Sequence, residues 1–333
     1  MANILVCGGA GYIGSHMVDH LLRCSNHRPV VFDNLSMGHR EAVAASVPFV
    51  EADLNDHSAV LAALVEHRID VVMHFAAFCA VPESVADPLK YYRNNLSATI
   101  TLLSAMKEAG VGVFVFSSSA ATYGDPVTVP IPEDSPTVPI NPYGWSKLMM
   151  EQVLADCGHA YGLVSTSLRY FNAAGASLAG NVGEDHNPET HLIPLVLQVA
   201  LGKRKSVSIF GDDYPTRDGS CVRDYIHVED LARAHLLAVD RMLAGKGGGI
   251  FNLGTSEGIT VREIVDTCRQ VSGHEIPAII APRRPGDPSQ LIADFTRAKE
   301  QLGWTPVHSS IETIVLTTWN WMRENPHGYR GKR

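Results

Sequence analysis

The sequence is poor in the residues and runs that mark several classes of protein. Cysteine is scarce, with 6 among 333 residues and no C-x-x-C pair, so neither a disulfide scaffold nor a cysteine zinc site is expected. No apolar run reaches the ~18 residues that a membrane-spanning helix requires. The H-E-x-x-H spacing of many zinc enzymes is also absent. The absence of these motifs and runs predicts a chain without a bound metal and without a membrane span.

Basic residues are in the minority as well. The 27 lysines and arginines face 35 aspartates and glutamates, which gives a net charge of −8. This balance argues against nucleic acid or an anionic membrane as a partner. Unpaired, scattered cysteines and a first segment that reads as a strand rather than a signal peptide predict a cytoplasmic protein.

Short apolar runs alternate with helical patterns through the first half of the chain. Buried strands alternating with helices predict an α/β fold, a Rossmann-type doubly wound parallel sheet. The predicted strands are 4–7, 30–32, 48–50, 71–75, 113–116 and 164–169, and the predicted helices are 14–23, 58–67 and 90–109.

The pattern loosens after residue 172 into loops rich in Gly, Pro and Asp. Because loops carry specificity, we predict an NAD-binding Rossmann domain at 1–172 and a smaller mixed α/β substrate lobe at 173–333, with some later segments returning to the first domain. The predicted elements of the second half are helices at 229–243, 261–271 and 309–323, a strand at 250–253, loops at 175–188 and 211–219, and a frayed tail at 327–333.

A glycine triplet follows the first strand. Gly8, Gly11 and Gly14 form G-x-x-G-x-x-G at the mouth of a helix, where glycine allows a tight turn and close approach of the backbone to a pyrophosphate. Asp33 ends the second predicted strand 19 residues later. A carboxylate there accepts the ribose hydroxyls and repels a 2′-phosphate. The pattern predicts a dinucleotide site that favours NAD over NADP.

Two further strand ends fit the same cofactor. Asp53 and Leu54 follow the third strand and are placed to flank adenine. Small residues follow the fourth strand at Phe75, Ala76 and Ala77, which permits close backbone approach.

A Y-x-x-x-K unit, Tyr143 and Lys147, follows a serine run that ends at Ser119. Positions i and i+4 share one face of a helix, so the phenol and the ammonium group are expected side by side. A cation ~6 Å away at an effective dielectric of ~20 favours the phenolate by about 3 kcal/mol, roughly two pKa units. The spacing therefore predicts a proton-transfer device.

With these residues in place, the chain resembles the extended short-chain dehydrogenase/reductase family, and within it the UDP-glucose 4-epimerases. First-half motifs carry the wider resemblance, and second-half motifs carry the narrower one. The matching motifs include GGAGYIGSH, DNLS, HFAA, FSSSA, NPYGWSK, RYFNAAGA, GEDHNPETHLIP, IFGDDYPTRDG, VRDYIHVEDLA and APRRPGD.

The resemblance implies roles for individual residues. It makes Tyr143 the base, Lys147 its modulator and ribose ligand, and Ser119 the partner of the sugar 4-oxygen. Further implied cofactor positions are Tyr12, Ile13, Asn34, Leu35, Ser36, Gly38, Asn94, Ser117 and Phe171. The implied positions for the UDP-sugar are Asn172, His191, Leu192, Phe210, Arg223, Tyr225, Arg284, Asp287 and Leu291.

The activity implied by the resemblance is reversible, NAD-dependent inversion at C4 of a UDP-hexose through a 4-keto sugar, in a homodimer paired through helices near 90–109 and 143–158. A related 4,6-dehydratase would need an Asp-Glu pair where Ala120 and Ala121 stand. A 4-epimerase acting on UDP-N-acetylglucosamine or a UDP-pentose remains the alternative.

Three positions depart from the family pattern. Cys79 stands where the family usually has a lysine near the cofactor, which implies weaker cofactor retention. Cys7 replaces a threonine before the glycine loop, a change that nearly conserves volume. Leu291 occupies the position that gates the sugar pocket, and its size is intermediate between the residues that restrict the pocket and those that open it.

Overall fold

The computed structural model describes residues 1–284 and 287–332. Its centre is a parallel sheet whose strand order is β11-β6-β5-β4-β1-β2-β3. The sheet strands are β1 (Asn3–Cys7), β2 (Arg28–Asp33), β3 (Phe49–Glu51), β4 (Val71–His74), β5 (Val113–Ser119), β6 (Val164–Tyr170) and β11 (Gly249–Leu253). This arrangement confirms the predicted Rossmann-type fold.

Helices cover both faces of the sheet. They are α1 (Tyr12–Cys24), α2 (His57–Glu66), α3 (Val81–Ala86), α4 (Pro88–Tyr91), α5 (Ala98–Ala109), α6 (Pro142–Tyr161), α8 (Val228–Leu243) and α10 (Thr296–Leu302). One hydrophobic core lies between the sheet and α1, α8 and α10, and a second lies between the sheet and α2, α5 and α6. The strands read as continuous apolar runs because both of their faces are buried.

The predicted helix at 90–109 is interrupted. Between α4 and α5 the chain forms a π-helical turn, Tyr92–Ser97. Wide turns of this kind occur within helices at functional sites. Here the turn carries Asn94, an implied cofactor position, and buries Asn95. A regular helical pattern in the sequence does not reveal such a turn.

The second lobe has its own core, built from small sheets and helices. Its elements are β7 (Asn172–Ala174), β8 (Val207–Phe210), β9 (Val222–Arg223), β10 (Tyr225–His227), β12 (Ile259–Thr260), β13 (Ala278–Ala281), β14 (Gln290–Leu291), α7 (Leu192–Ala200), α9 (Val261–Ser272) and α11 (Ile311–Glu324). Trp319 and Trp321 pack in this core, as expected for anchors of a terminal helix.

The chain crosses between the lobes more than once. After β10 it returns to the first lobe, where α8 packs on α1 and β11 completes the central sheet beside β6. Later, α10 joins the same core through Ala298 and Leu302. Several segments after residue 172 therefore return to the core of the first lobe.

The prediction of a frayed tail is wrong for the described residues. A 3₁₀ helix spans Gly328–Lys332, and Tyr329 is only 2% exposed. Its ring packs on Trp321, and its hydroxyl accepts a hydrogen bond from the amide of Gly183. A single buried aromatic holds the segment, and Arg333 lies outside the described residues. Within residues 1–284 and 287–332, no helix is long and apolar enough to cross a membrane.

Candidate active site

The predicted cofactor residues meet at one edge of the central sheet. Parallel strands all end at the same edge, and open α/β sheets bind ligands there. The residues at or just after the ends of β1 to β6 are Gly8, Gly11, Tyr12, Ile13, Gly14, Asp33, Asn34, Leu35, Ser36, Gly38, Asp53, Leu54, Phe75, Ala76, Ala77, Ser117 and Phe171. A depression of about 400 Å³ at this edge is lined by Leu35, Gly38, His39, Arg40, Glu41 and Arg330.

The glycine loop packs against the end of β4. Gly8 has φ +77°, and a Cβ there would lie 2.5 Å from the amide nitrogen of Ala76. A Cβ on Gly14 would lie 2.1 Å from the carbonyl oxygen of Gly8. Gly11 differs, because its Cβ would meet only that same oxygen, at 3.3 Å. Gly8 and Gly14 are required by the fold of the loop, whereas Gly11 leaves a surface open to a ligand.

Asp33 holds the turn that follows β2. One carboxylate oxygen accepts the amide of Ala10 at 2.9 Å, and the other accepts the amide of Leu35 at 2.8 Å. Burial raises the pKa of this carboxyl, while those two amides oppose the rise. The Asn34 amide group donates to Asp53 at 2.8 Å. These bonds join the ends of β2 and β3, as a nucleoside site formed from both strand ends requires.

The catalytic candidates lie between β5 and α6. Asn141 caps α6 by accepting the amide of Gly144, and Pro142 begins the helix, where its missing N–H costs nothing. Lys147 is 4% exposed. Its ammonium group donates to the carbonyl of Ser117 at 2.8 Å and lies 5.8 Å from the centre of the Tyr143 ring. The helix therefore places the two side chains on one face, as the spacing predicts.

The pKa of Tyr143 is not lowered in the protein alone. Burial raises it strongly, the nearby Cys79 adds to the rise, and a hydrogen bond with Ser119 opposes it. Burial also lowers the pKa of Lys147 to about 8, although Glu151 and Cys79 act in the opposite sense. The predicted lowering of the Tyr143 pKa by two units is wrong for the protein without NAD. Desolvation of the phenolate outweighs the attraction of one ammonium group. Positive charge on an oxidised nicotinamide ring would act against that desolvation.

The π-helical turn reaches the same site from the other side. Asn95 accepts the amide of Phe78 at 2.9 Å and donates to the Phe78 carbonyl at 3.0 Å. It also donates to the hydroxyl of Ser146, at 3.2 Å, on the catalytic helix. Asn94 donates to Asn95 at 3.0 Å. The turn fixes the segment after β4, including Cys79, relative to α6.

A second cavity, of about 370 Å³, opens in the other lobe. Eight of the predicted substrate residues line it: Asn172, His191, Leu192, Phe210, Arg223, Tyr225, Arg284 and Asp287. Ser119, Tyr143 and Leu291 are not among its lining residues. Leu291 pairs with Arg223 in the parallel β14–β9 register, so both side chains leave the sheet on the same face.

The cations of this cavity differ in their contacts. Arg223 is half-buried and pairs with Asp287, while its other terminal nitrogen donates to the carbonyl of Val222 at 2.8 Å. The guanidinium of Arg284 lies 3.9 Å from the centre of the Phe210 ring. Arg283 instead pairs with Asp213, away from the cavity lining. Arg204 also lines the cavity and was missed, because its run of basic residues reads as a solvated surface.

A buried polar network behind the catalytic residues was also missed. Arg169 donates to Glu151 through Nε at 2.9 Å and through a terminal nitrogen at 2.5 Å. Ser118 donates to the same carboxylate at 2.5 Å. Arg169 also donates to the Tyr123 hydroxyl at 2.9 Å, and that hydroxyl donates to Asn252. The network joins β5, β6, β11 and α6, but its partners are too distant in sequence for a spacing rule to find.

Comparisons with known proteins agree with this geometry. The NAD dependent epimerase/dehydratase family model matches residues 4–254. A UDP-glucose 4-epimerase from Halalkalibacterium halodurans is 54% identical over 98% of this chain and 97% of its own length.

Solved structures give the same picture. UDP-glucose 4-epimerase from Brucella ovis in complex with NAD is 46% identical, with a TM-score of 0.94 and coverage of 99% of both chains. The enzyme from Bifidobacterium longum in complex with NAD⁺ and UDP is 40% identical, with a TM-score of 0.92 over 98% of this chain and 99% of that one.

The sheet edge fits a dinucleotide, the Tyr143–Lys147 pair lies beside it, and the match extends over nearly the whole chain. The chain therefore belongs to the NAD dependent epimerase/dehydratase family, as an NAD-dependent isomerase of the UDP-glucose 4-epimerase group.

Proposed function

We propose that Tyr143, Ser119 and Lys147 carry out the C4 inversion of UDP-glucose and UDP-galactose in this protein. The observation that carries the proposal is that Lys147 donates to the Ser117 carbonyl and lies 5.8 Å from the centre of the Tyr143 ring, at the end of β5, the strand that closes with Ser119. In this arrangement Tyr143 removes the proton from the 4-hydroxyl, and Ser119 holds the 4-oxygen through its hydroxyl.

Lys147 supports the base through charge and position. Its ammonium group is fixed by the Ser117 carbonyl and lies beside the Tyr143 ring. It therefore favours the phenolate without donating to it in the protein alone. Because the pKa of Lys147 is lowered to about 8 by burial, the charge is present at neutral pH and is lost in mildly alkaline solution.

The residues at the sheet edge would hold NAD. Gly11 leaves its surface open to the pyrophosphate, α1 presents its N-terminus, and Asp33 lies where the ribose hydroxyls would bind. When bound, NAD⁺ would accept the hydride from C4 of the sugar and return it to the opposite face, and Tyr143 would then return the proton to the 4-oxygen. Cys79 is exposed at this site and supplies no cation, which supports weaker cofactor retention.

Inversion requires a firm hold on the diphosphate and a loose hold on the sugar. Arg204, Arg223 and Arg284 gather around the second cavity, and guanidinium groups suit bidentate contact with phosphate oxygens. These three cations line the cavity of the second lobe, and Tyr143 is not among its lining residues. The anchored UDP can therefore stay in place while the 4-keto sugar turns over and presents its other face.

The hexose pair is favoured because UDP-glucose 4-epimerases match this chain over nearly its whole length. Leu291 is half-buried and lies beside Arg223 in the β14–β9 register. Leucine leaves less room for an N-acetyl group than a small residue would and more room than a large aromatic residue would. UDP-N-acetylglucosamine and UDP-pentoses are the alternatives against which the preference is measured.

The proposal includes a homodimer in the cytoplasm. Six apolar side chains are exposed on α3 to α6, and clustered exposed apolar surface marks an interface between copies. They are Val81, Val85, Leu89, Ile100, Trp145 and Met149. The six cysteines are all free, which supports a reducing compartment.

The decisive experiment incubates purified protein with UDP-glucose, and separately with UDP-N-acetylglucosamine, with and without added NAD. We expect UDP-galactose to form faster than the N-acetyl product. Tyr143→Phe should lower kcat by about 10²–10⁴-fold, as expected when a general base is removed, whereas Tyr161→Phe on the exposed end of the same helix should not. A Tyr143→Phe enzyme with the wild-type rate would reject the proposed base, and a faster N-acetyl reaction would reject the proposed sugar.

A further inference from the structure

The segment between β7 and α7 brings two histidines and two glutamates together. The four residues are Glu184, His186, Glu189 and His191, and one donor atom from each lies within 4.8 Å of all the others. Their spacing, E-x-H-x-x-E-x-H, is not one of the zinc patterns considered from the sequence. No strand or helix forms in this segment, so the loop itself creates the cluster.

The distances between the donor atoms suit four ligands around one centre. Nδ1 of His191 lies 2.7 Å from Glu184 and 3.3 Å from Glu189. Nδ1 of His186 lies 3.1 Å from Glu184 and 3.8 Å from Glu189. Zinc binds nitrogen and oxygen at about 2.0–2.2 Å in tetrahedral sites, which places neighbouring donors roughly 3.4 Å apart. The four histidine–glutamate separations bracket that value, and those to Glu189 end on Oε1 for His191 and on Oε2 for His186.

The central atoms face one another as ion pairs without the geometry of hydrogen bonds. Oε1 of Glu184 and Nδ1 of both histidines are buried, and their contacts with each other are the ion pairs given above. None of the three atoms makes an aligned hydrogen bond among the described residues. The side chain of Glu184 is only 2% exposed. Nδ1 of His191 and Oε1 of Glu184 are thus close together but are not aligned for a hydrogen bond. Buried polar atoms left in this state indicate a missing ion or other partner.

The remaining contacts hold the donors in place. Glu189 Oε1 accepts the amides of Thr190 and His191 at 2.7 and 2.8 Å. The ring of His186 packs edge-on against Tyr12. His39 contacts the carbonyl oxygen of Asp185 at 2.9 Å. The histidines of α1 do not share this arrangement, because His16 contacts the Tyr12 carbonyl and His20 contacts Glu229.

We propose that Glu184, His186, Glu189 and His191 form a structural zinc site. Mixed imidazole and carboxylate ligands suit zinc, whereas calcium and magnesium prefer oxygen alone. The chain fills all four positions, so the ion would have no open position and would fasten the segment rather than take part in catalysis. The sequence predicts no metal because the E-x-H-x-x-E-x-H spacing differs from H-E-x-x-H and C-x-x-C.

The site would organise one wall of the UDP-sugar cavity. Glu184 and His191 line that cavity, together with Thr190 and Leu192. A zinc ion would fix the loop that leads into α7. Its removal should loosen this wall while leaving the sheet edge and Tyr143 in place. Binding of UDP is therefore expected to weaken more than binding of NAD.

The test uses protein stripped with a chelator and then titrated with Zn²⁺. We expect one zinc per chain by elemental analysis, a higher melting temperature, and slower amide exchange confined to residues near 184–191. Replacing zinc with Co²⁺ should give the visible absorption of a four-coordinate ion. Glu184→Gln and His186→Ala should each abolish the stoichiometric binding.

His57→Ala is the matched control, because His57 lies 3.6 Å from the exposed Glu108 and has no second carboxylate partner. It should bind zinc as the wild type does. The proposal is overturned if the wild type binds less than one zinc per chain, or if Glu184→Gln and His186→Ala bind as much as the control. If both variants misfold, the test is the rate of amide hydrogen exchange at residues 184–191 of the wild type with and without zinc. Unchanged exchange on adding zinc would reject the site and leave an ion-pair cluster.

Discussion

At the scale of single residues, the three loop glycines have different physical reasons to be glycine. A methyl group on Gly14 would collide with the Gly8 backbone at 2.1 Å, but one on Gly11 would approach only a single oxygen at 3.3 Å. Backbone atoms cannot move aside as a flexible side chain can. The loop backbone therefore requires glycine at position 14, whereas close approach of a ligand requires it at position 11.

We predict that Gly11→Ala and Gly14→Ala fail in different ways. Gly14→Ala should lower the melting temperature of the protein itself. Gly11→Ala should leave it nearly unchanged but reduce the stabilisation gained on adding NAD. Thermal unfolding with and without NAD measures both effects. A Gly11→Ala protein stabilised by NAD as strongly as the wild type would contradict a pyrophosphate contact at Gly11.

Lys147 illustrates the cost of a buried catalytic charge. Burial lowers its pKa from 10.5 to about 8, so the folded state binds fewer protons than the unfolded state between these values. The stability contributed by this residue is therefore greatest above pH 10.5 and falls as the pH drops through 8. Below pH 8 the folded protein bears the cost of a desolvated ammonium group.

We predict that Lys147→Met stabilises the protein at pH 7 while removing activity. The expected gain is at most about 3 kcal/mol, from a lowering of the Lys147 pKa by roughly 2.5 units at about 1.36 kcal/mol each. It should shrink as the pH rises from 8 to 10, because the wild-type lysine then becomes neutral. Urea unfolding at pH 8 and at pH 10 measures the difference in free energy of unfolding between the variant and the wild type. The exposed Lys107→Met on α5 serves as the control, and its difference from the wild type should not change between these two pH values.

The positions of the candidate site residues were largely predictable, but their protonation was not. The glycines, Asp33, Tyr143 and Lys147 sit at spacings that reflect local geometry, and the structure places them as that geometry requires. Whether desolvation or a neighbouring charge dominates the pKa of a residue depends on how deeply the whole site is buried. Burial results from tertiary packing, so no local sequence pattern predicts it.

At the scale of elements, one buried ion pair ties the catalytic helix to the sheet. The Glu151 carboxylate on α6 receives Arg169 from β6 and Ser118 from β5. Arg169 also reaches Tyr123, which contacts Asn252 on β11. Each of these partners is at most 4% exposed except Glu151, at 7%. The network therefore sits in a region of low dielectric, where satisfied groups are held rigidly.

We predict that Glu151→Ala destabilises the protein by about 3–5 kcal/mol, because it leaves the Arg169 charge buried without a partner. Denaturant unfolding gives the value. Asp266→Ala is the matched control, since it breaks an exposed pair with Arg269 and should cost less than about 1 kcal/mol. Equal losses in the two variants would mean that burial of the pair has no energetic role.

Elements that follow a regular period were predictable, and those that break the period were not. The strands β1, β4, β5 and β6 begin within one residue of their apolar runs, although β5 continues three residues beyond its run, to Ser119. The π-helical turn Tyr92–Ser97 interrupts a helical pattern that continues through it. It is stabilised by Asn95 contacts with Phe78 and Ser146, which depend on the tertiary fold.

At the scale of the whole molecule, α3 to α6 form one side of the first lobe with an unusual surface. Leu89 and Val85 are 61% and 63% exposed there, and Trp145 and Met149 follow on α6. The catalytic pair, Tyr143 and Lys147, lies on the same helix. Association through this surface would restrict the helix that carries the base and would leave each active site formed by a single chain.

We predict that Leu89→Arg converts a dimer into a monomer. A charge placed in the centre of a two-fold interface meets its own copy or remains desolvated, and either outcome opposes association. Light scattering coupled to size exclusion should report half the wild-type mass, and the melting temperature should no longer rise with protein concentration.

Val307→Arg is the matched control for that substitution, because Val307 is equally exposed, at 61%. Its amide donates to Asp230 on α8, which packs on the opposite face of the sheet from α5 and α6. The mass of this control variant should equal that of the wild type. If Leu89→Arg also retained the wild-type mass, or if the wild type were itself monomeric at micromolar concentration, association through this surface would be refuted. The exposed apolar side chains would then have to be assigned to another partner or to none.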